Sequence, residues 1–597
     1  MPLFFTLILC IKFIMFSKNI NALKIKNLKL ARQLEEISLD EAQSHIGVHK
    51  SDSGDLIISY DDVLLEDSQN PLEFAKKILQ SRNLSDFSNN DFIVIYGLGL
   101  GYLFKRCYVS TLAKNLIYEP NLFVWRFVLE YVDFSDQILD PKVFLFAQES
   151  ELIDFLLNHY LINDKIDVLY YPLYASFKKE ELSLFVGKIL DSCEAKRADI
   201  STTKKLSKCW VENTLINSLS FDKMRSLTFF KGIFEDKIAL ILAAGPSLRS
   251  NIELIKNNRD KFVIFAANKA LLFLVKNSIF PDFLLAADAK YVANTVNVSD
   301  EILNKISLIS TTKTDPCLMH MPFASKIAYF LENDSLYSDL IDLYPNEIKP
   351  MPTAGTAVSL GYYSALEMGF KNILFVGFDL AIKEDQLYGV DLDAALKEDM
   401  VFSCGENKQL TKVKSITGEL IKTRKDYSVF IKQFEYILAS KPEGVSVYNA
   451  SDFGAFIEGM EYISFTEFLE FCDNSYVRDV SEKIVLLFAD TKVRWLEIYL
   501  EKNKLFESYN LSMLSLKSII ENLFNNKAQN FDEKPLLNIL NEILKNQILF
   551  SFFQTEILEY LDLRNKDSDL SNSYLIELFQ KVCSVVPKLL AITRNKT

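Results

Sequence analysis

With 597 residues, 49% of them hydrophobic and 24% charged, the chain is too long for one core and is expected to form about three domains. Its net charge of −13 excludes non-specific nucleic-acid binding, which needs a positive field to displace phosphate counterions. Eight cysteines without a C-x-x-C and four histidines without an H-E-x-x-H exclude a disulfide framework and give no zinc-site spacing; reduced thiols of a cytoplasmic protein, with no bound metal, are expected.

Residues 1–16 are almost all apolar, but Lys12 interrupts them, no basic residue precedes them and no small-residue cleavage site follows. The run is short for a membrane span, and Met15 opens a polar start, Phe16-Ser17-Lys18-Asn19. Residues 1–14 are therefore expected to be an extension from an upstream start codon, the alternative being a membrane-touching segment; no stable membrane insertion is expected. Residues 20–50 read as helix, with Leu23, Ile25, Leu28, Leu30 and Leu34 set among charges.

An α/β pattern follows. Phe92 to Tyr96 is a continuous apolar run suited to a buried parallel strand. It ends in Gly97-Leu98-Gly99-Leu100-Gly101, and a second strand, Asn115 to Tyr118, closes on Glu119-Pro120-Asn121. Val143 to Phe146 and Val168 to Tyr171 read as further strands. Glycines at the first turn (Gly97, Gly99, Gly101) and an acid at the end of the second strand (Glu119) are the layout that holds a nucleoside. The spacing is G-x-G-x-G, and a tight strand–helix turn with no ligand is the competing reading.

A second α/β unit begins with strand Ile238 to Ala243 and the turn Ala244-Gly245-Pro246-Ser247-Leu248. Strand Phe262 to Ala267 ends at Asn268, and strand Phe283 to Ala287 ends at Asp288. Thr353-Ala354-Gly355-Thr356 opens a helix, and Ile373 to Val376 is a strand ending in Gly377-Phe378-Asp379. This alternation predicts a parallel sheet with ligands at the carboxyl ends of its strands. In the first turn Gly245 removes a β-carbon, Pro246 fixes the entry to a helix and Ser247 offers a cap. Such a turn is expected to leave N–H groups free for an anion. Thr353, Gly355 and Thr356 form a second small-residue loop at a helix start. Each residue alone also reads as a structural cap; Asn268, Asp288 and Asp379 beside the two loops are the signal. Beyond residue 480 helical periodicity takes over, with Ile484, Leu487, Trp495, Ile498 and Leu500, then Leu537, Ile539, Leu540 and Ile543, at helical spacings.

The ordered set of motifs resembles a family, the motility accessory factors that glycosylate flagellin. Their central domain is shared with an archaeal hydroxymethyl-dihydropterin pyrophosphokinase. The resemblance lies in Leu240 to Leu248, Ala266-Ala267-Asn268, Ile279 to Phe283, Asp288, Gly355-Thr356-Ala357 and Val376 to Leu380. It continues in Gly418-Glu419, Thr423, Asn449-Ala450-Ser451 and Gly454-Ala455, with Trp210-Val211-Glu212-Asn213 and Asn217 upstream. The central domain is also similar to bacterial CMP-sialic-acid transferases. The resemblance implies a small Rossmann-like N-terminal α/β domain, a central Rossmann-like or GT-A-like parallel-sheet domain and an all-α C-terminal domain. The expected division is 1–54, 55–205, 206–480 and 481–597.

It further implies a cytoplasmic glycosyltransferase moving pseudaminic or legionaminic acid from a CMP donor to Ser or Thr of flagellin, with no required cofactor. Gly245, Pro246, Ser247, Leu248, Thr353, Gly355 and Thr356 would bind the donor, with Asn268 and Asp288 on its hydroxyls. Asp379, Asp288 and His320 are candidates for the general base; His320, among apolar neighbours, also reads as a packed core histidine. The alternatives are a pyrophosphokinase-type enzyme using ATP and a divalent metal, a non-catalytic flagellin-binding chaperone, and a methyltransferase-like N-terminal domain.

Overall fold

The computed structural model describes residues 15–82, 84–160, 164–171, 179–290, 292–332, 334–352, 356–382, 410–472, 480–525, 533–564 and 568–594. The chain is α/β and divides into two compact units, Met1–Thr202 and Thr203–Thr597. The boundary falls inside the helix Lys179–Ser218.

In the first unit, the expected single helix over residues 20–50 is broken twice. Helix 15–26 ends at Asn27, whose side chain caps Leu28–Glu36 by accepting the Leu30 N–H (3.0 Å). Ser38 likewise caps Leu39–His45, and the chain then enters a strand. Strands β1 (Ile46–Lys50), β2 (Leu56–Tyr60) and β3 (Val63–Leu64) form an antiparallel sheet. Strands β4 (Phe92–Tyr96), β5 (Lys114–Tyr118), β6 (Val143–Phe146) and β7 (Ile166–Tyr170) form a parallel sheet in the order β6-β5-β4-β7. That is the order of a doubly wound half-domain. The N-terminal helices belong to its core: Ile20, Leu23, Leu30 and Leu34 are buried in one cluster with Ile93 and Phe127. Asn19 ties them in, donating to the carbonyls of Leu129 (2.8 Å) and Val132 (2.7 Å).

The second unit is built on nine strands. In chain order they are β8 (Arg225–Ser226), β9 (Ile238–Leu242), β10 (Val263–Ala267), β11 (Phe283–Ala286), β12 (Ser307–Thr311), β13 (Ser325–Tyr329) and β14 (Asn372–Val376). A hairpin, β15 (Leu410–Lys414) and β16 (Leu420–Arg424), precedes β17 (Ser446–Asn449) and β18 (Glu461–Tyr462). The sheet order is β18-β17-β14-β9-β10-β11-β12-β13-β8, and every pairing is parallel. The chain winds outward from β9 through β13, then returns to the other side of β9 as β14. The switch point therefore lies between β9 and β14, the position at whose carboxyl edge doubly wound sheets bind ligands.

Alternate residues of the central strands enter different cores. Ile241, Phe265 and Phe375 pack with the helices Ala357–Glu367 and Lys425–Ala439. Leu240, Ile264 and Leu374 pack with Ser247–Asn257 and Phe465–Phe471. Toward β13, Leu284, Leu308 and Ala328 share a core with Trp495, Ile498, Ile543, Tyr560 and Phe579 of the C-terminal helices. Those helices include Lys492–Asn525 and Ser568–Arg594. They form the helical C-terminal region expected from the sequence and roof this part of the sheet. Trp495 stacks on Phe221 (centroids 4.6 Å, 12° apart) and donates its indole N–H to the Phe221 carbonyl (2.7 Å). Leu500, expected in the core, is 52% exposed. Among the described residues no helix is long and apolar enough to cross a membrane.

Candidate functional site

The turn after β9 and the turn after β14 meet at the switch point. Gly245 donates its N–H to the Gly377 carbonyl (2.8 Å), closing the two turns on each other. A β-carbon at Gly245 would lie 2.5 Å from Asp379 Oδ2 and closer still to the Gly377 carbonyl oxygen, so only glycine fits. Pro246 precedes the first turn of Ser247–Asn257 and supplies no side-chain cap. The cap comes from across the switch point. Asp379 accepts the Ser247 N–H (2.8 Å) and the Ser247 O–H, while the Ser247 hydroxyl accepts the Gly377 N–H (3.0 Å) and reaches the Ser451 hydroxyl (2.9 Å).

This corrects the expectation for the turn. Its N–H groups are not free for a phosphate, because the Asp379 carboxylate occupies the anion position at the helix start. Ser247 is fully buried and Asp379 is 2% exposed. Burial raises the Asp379 carboxyl above the usual range, against the hydrogen bonds from Ser247 and Ser451 that favour its charge. An enclosed acid already accepting from two partners holds the two turns together and is poorly placed to meet a substrate hydroxyl. Leu248 is fully buried in the core beneath and offers no polar group to a ligand.

The other expected residues stand along the same edge. Asn268, just past β10 and buried, donates to the Thr295 hydroxyl (2.8 Å), which donates to the Val292 carbonyl (2.7 Å); it braces the loop after β11. Asp288, just past β11, is exposed, as is Lys290 two residues on. Thr356 caps Ala357–Glu367 by accepting the Ser359 N–H (3.1 Å). Thr353 and Gly355 lie outside the described residues. His320 is not a packed core histidine: it ends the short helix Cys317–His320 and is exposed, while Leu318 and Met319 point inward.

Three lysines follow consecutive strand ends, Lys269 after β10, Lys290 after β11 and Lys313 after β12. Asn213 and Asn217 hold those loops from below. Asn213 donates to the carbonyls of Ala289 (2.8 Å) and Lys313 (3.0 Å), and Asn217 to those of Thr312 (2.9 Å) and Thr314 (2.8 Å). Sequence reasoning missed the buried Asp334, which accepts from Thr312 and whose carboxyl is raised by burial. It also missed the placement of Ser451 beside Ser247. Among the described residues no group of three or more His, Cys, Asp or Glu is placed to hold a metal.

In the first unit the glycine-rich turn is closed in the same way. Leu100 donates its N–H to Glu66, a fully buried carboxylate on the loop after β3, which also accepts the Ile58 N–H (2.9 Å). A β-carbon at Gly99, where φ is +49°, would lie 2.5 Å from Glu66 Oε1. Glu119 accepts the N–H groups of Leu98 (2.9 Å) and Asn121 (3.0 Å) and is 1% exposed. The expected second nucleoside site at Gly97, Gly99, Gly101 and Glu119 is thus a packed turn: the acid meant for ribose is spent on backbone, and the space left beside Gly99 is filled by Glu66 and that beside Gly101 by the Phe134 ring.

A protein-family profile, MptE-like (6-hydroxymethylpterin diphosphokinase MptE-like), matches residues 212–385. That span runs from the helix beneath the strand-end loops through β14 and Asp379. The fold is similar along its whole length to a solved structure, the MAf glycosyltransferase from Magnetospirillum magneticum AMB-1. The TM-score is 0.57 at 15% sequence identity, covering 98% of this chain and 97% of that one. An uncharacterised protein of Treponema pallidum (strain Nichols) is 34% identical over 101 residues, which is 16% of this chain; the match spans 45% of the length of that relative.

Proposed function

We propose that the protein is a cytoplasmic glycosyltransferase of the motility accessory factor type. It moves a nonulosonic acid, pseudaminic or legionaminic, from its CMP-activated form to Ser or Thr of flagellin. The observation that carries the reading is the full-length likeness in fold to a MAf glycosyltransferase. The switch-point crevice at the β9 and β14 carboxyl ends supports it, being where doubly wound sheets bind nucleotides. Donor anions bind at the lysine-bearing strand ends, Lys269, Lys290 and Lys313, and at the Thr356 helix start, since Ser247 N–H is already taken. Asn268 holds the loop that presents Asp288, and Asp288 orients donor hydroxyls. The Ser247–Asp379 bonds keep the floor of the crevice rigid. In the reaction the acceptor oxygen forms a bond to the anomeric carbon as the bond to the CMP phosphate breaks; the electron pair leaves with CMP and the hydroxyl proton passes to a base.

Intact-mass analysis of flagellin incubated with the protein and CMP-pseudaminic or CMP-legionaminic acid tests this. A gain of one or more sugar masses is expected, reduced at least tenfold in rate for the exposed-site variant Lys290→Glu. No gain with either donor, under conditions where CMP still binds, refutes the donor assignment. The match of residues 212–385 to the MptE-like profile favours one second reading, diphosphate transfer to a hydroxymethylpterin. ATP consumption on adding that pterin with Mg²⁺ is the result that would select it.

A further inference from the structure

A groove of about 430 Å³ opens at the carboxyl end of β17, on the opposite side of β9 and β14 from the three lysines. Its polar walls are Ser250, Asn251, Ser451, Asp452, Ser464 and Glu467, with Tyr462 and Phe465 contributing aromatic surface. No Lys or Arg lines it among the described residues. Two carboxylates without a cation repel a phosphate or a sugar carboxylate, so this is not a donor subsite. Hydroxyls, an amide and carboxylates beside aromatic rings suit a neutral, hydrogen-bond-donating ligand.

The groove is built into the site. Ser250 donates its hydroxyl to the Ser247 carbonyl (3.1 Å), and Asn251 donates to the carbonyls of Ser247 (2.9 Å) and Ala450 (3.2 Å). Ser451 both lines the groove and bonds to Ser247 at the switch point. Asp452 is exposed and close enough to Asp379 for its charge to act there. Displacement at a carbon places nucleophile and leaving group on opposite sides, and the sheet order places this groove and the lysine-bearing edge on opposite sides of the switch point.

We infer that this groove seats the acceptor, a Ser- or Thr-bearing segment of the protein substrate, and that Asp452 takes the proton from its hydroxyl. The inference rests on the transferase reading above. As the acceptor oxygen bonds to the anomeric carbon, its proton moves to Asp452 and CMP departs with the electrons of the broken bond. Asp379 acts only through Ser247 and Ser451, as a positioning residue.

Two readouts on the full chain test it: transfer kinetics with flagellin and CMP donor, and hydrogen-exchange protection of residues 446–467 on adding flagellin alone. Asp452→Asn is expected to lower kcat at least 100-fold, with CMP affinity unchanged. Ser250→Trp, which fills the groove, is expected to raise the flagellin KM at least tenfold, again with CMP affinity unchanged, and to abolish the protection. Wild-type kcat in Asp452→Asn, or wild-type flagellin KM in Ser250→Trp, overturns the inference. If wild-type protein transfers no sugar, the exchange experiment still decides: protection lost in Ser250→Trp upholds an acceptor groove while the transferase reading fails, and absence of protection refutes the groove.

Discussion

Glu66 makes a quantitative test of how the first unit is held. In an unfolded chain this carboxyl ionises near 4.5; in the fold burial raises it to about 7, outweighing the N–H groups of Leu100 and Ile58 that favour its charge. Between those values the folded unit binds more protons than the unfolded one, so its stability falls as pH rises. The contribution is fully present below pH 4.5 and lost by the time pH passes 7. At about 1.4 kcal/mol per pH unit, the interval from 4.5 to about 7 amounts to roughly 3 kcal/mol. Glu66→Gln keeps the shape and cannot titrate. Hydrogen exchange at residues 92–104, corrected for intrinsic rates and measured at pH 4.5 and 8, should show a loss of about 3 kcal/mol in wild-type opening free energy beyond that in the variant. Equal pH dependence in the two proteins would refute the argument, as would stability that rises with pH in the wild type alone.

Substitutions at four residues of the second unit give further tests. Gly245→Ala must force apart the turns after β9 and β14, costing about 1–3 kcal/mol in chemical denaturation. Asp379→Ala orphans the buried N–H and O–H of Ser247 and should cost about 3–5 kcal/mol, whereas Asp379→Asn, which keeps one acceptor, should cost less than half of that. Because burial raises the Asp379 carboxyl, its own contribution to stability should fall with rising pH, a slope that vanishes in Asp379→Asn. Trp495→Ala removes a fully enclosed indole stacked on Phe221 and should cost about 3–5 kcal/mol by thermal or urea unfolding. Asn217→Ala leaves the carbonyls of Thr312 and Thr314 without their amide donor; a loss of about 1–3 kcal/mol and faster exchange at residues 311–314 are expected.

Much of the fold was legible because parallel strands buried on both faces must be apolar throughout. Phe92 to Tyr96 and Ile238 to Leu242 have no polar residue and every position is buried. β12, β13 and β17 escaped notice because Ser307, Ser310, Thr311, Ser325, Lys326 and Ser446 break those runs, although β12 is fully buried. The helix over residues 20–50 was mispredicted at Asn27 and Ser38, whose capping side chains end one helix and start the next. At the site, Gly245, Ser247 and Asp379 were each legible, but not that they bind one another. Their contact spans 132 residues and no local pattern encodes it. Glu66 was invisible for the same reason: it lies on an irregular loop 34 residues from the amide it satisfies. His320 misled through its neighbours, since a helix of four residues can turn two apolar side chains inward and still leave its last residue in water.

The sheet of the second unit also separates what can be recognised from what can stand alone. Residues 212–385, the stretch that matches a known family, carry β8 to β14 but neither β17 and β18 nor the helices covering β11 to β13. Cut out by itself, that stretch would present the edge of β14 and an uncovered apolar face to water, a template for pairing with its own copies. The portion that carries the similarity thus closes no core of its own. A soluble fragment has to be cut where cores close, inside the helix Lys179–Ser218 near the boundary between Thr202 and Thr203 and after the last C-terminal helix, whatever the reach of the similarity.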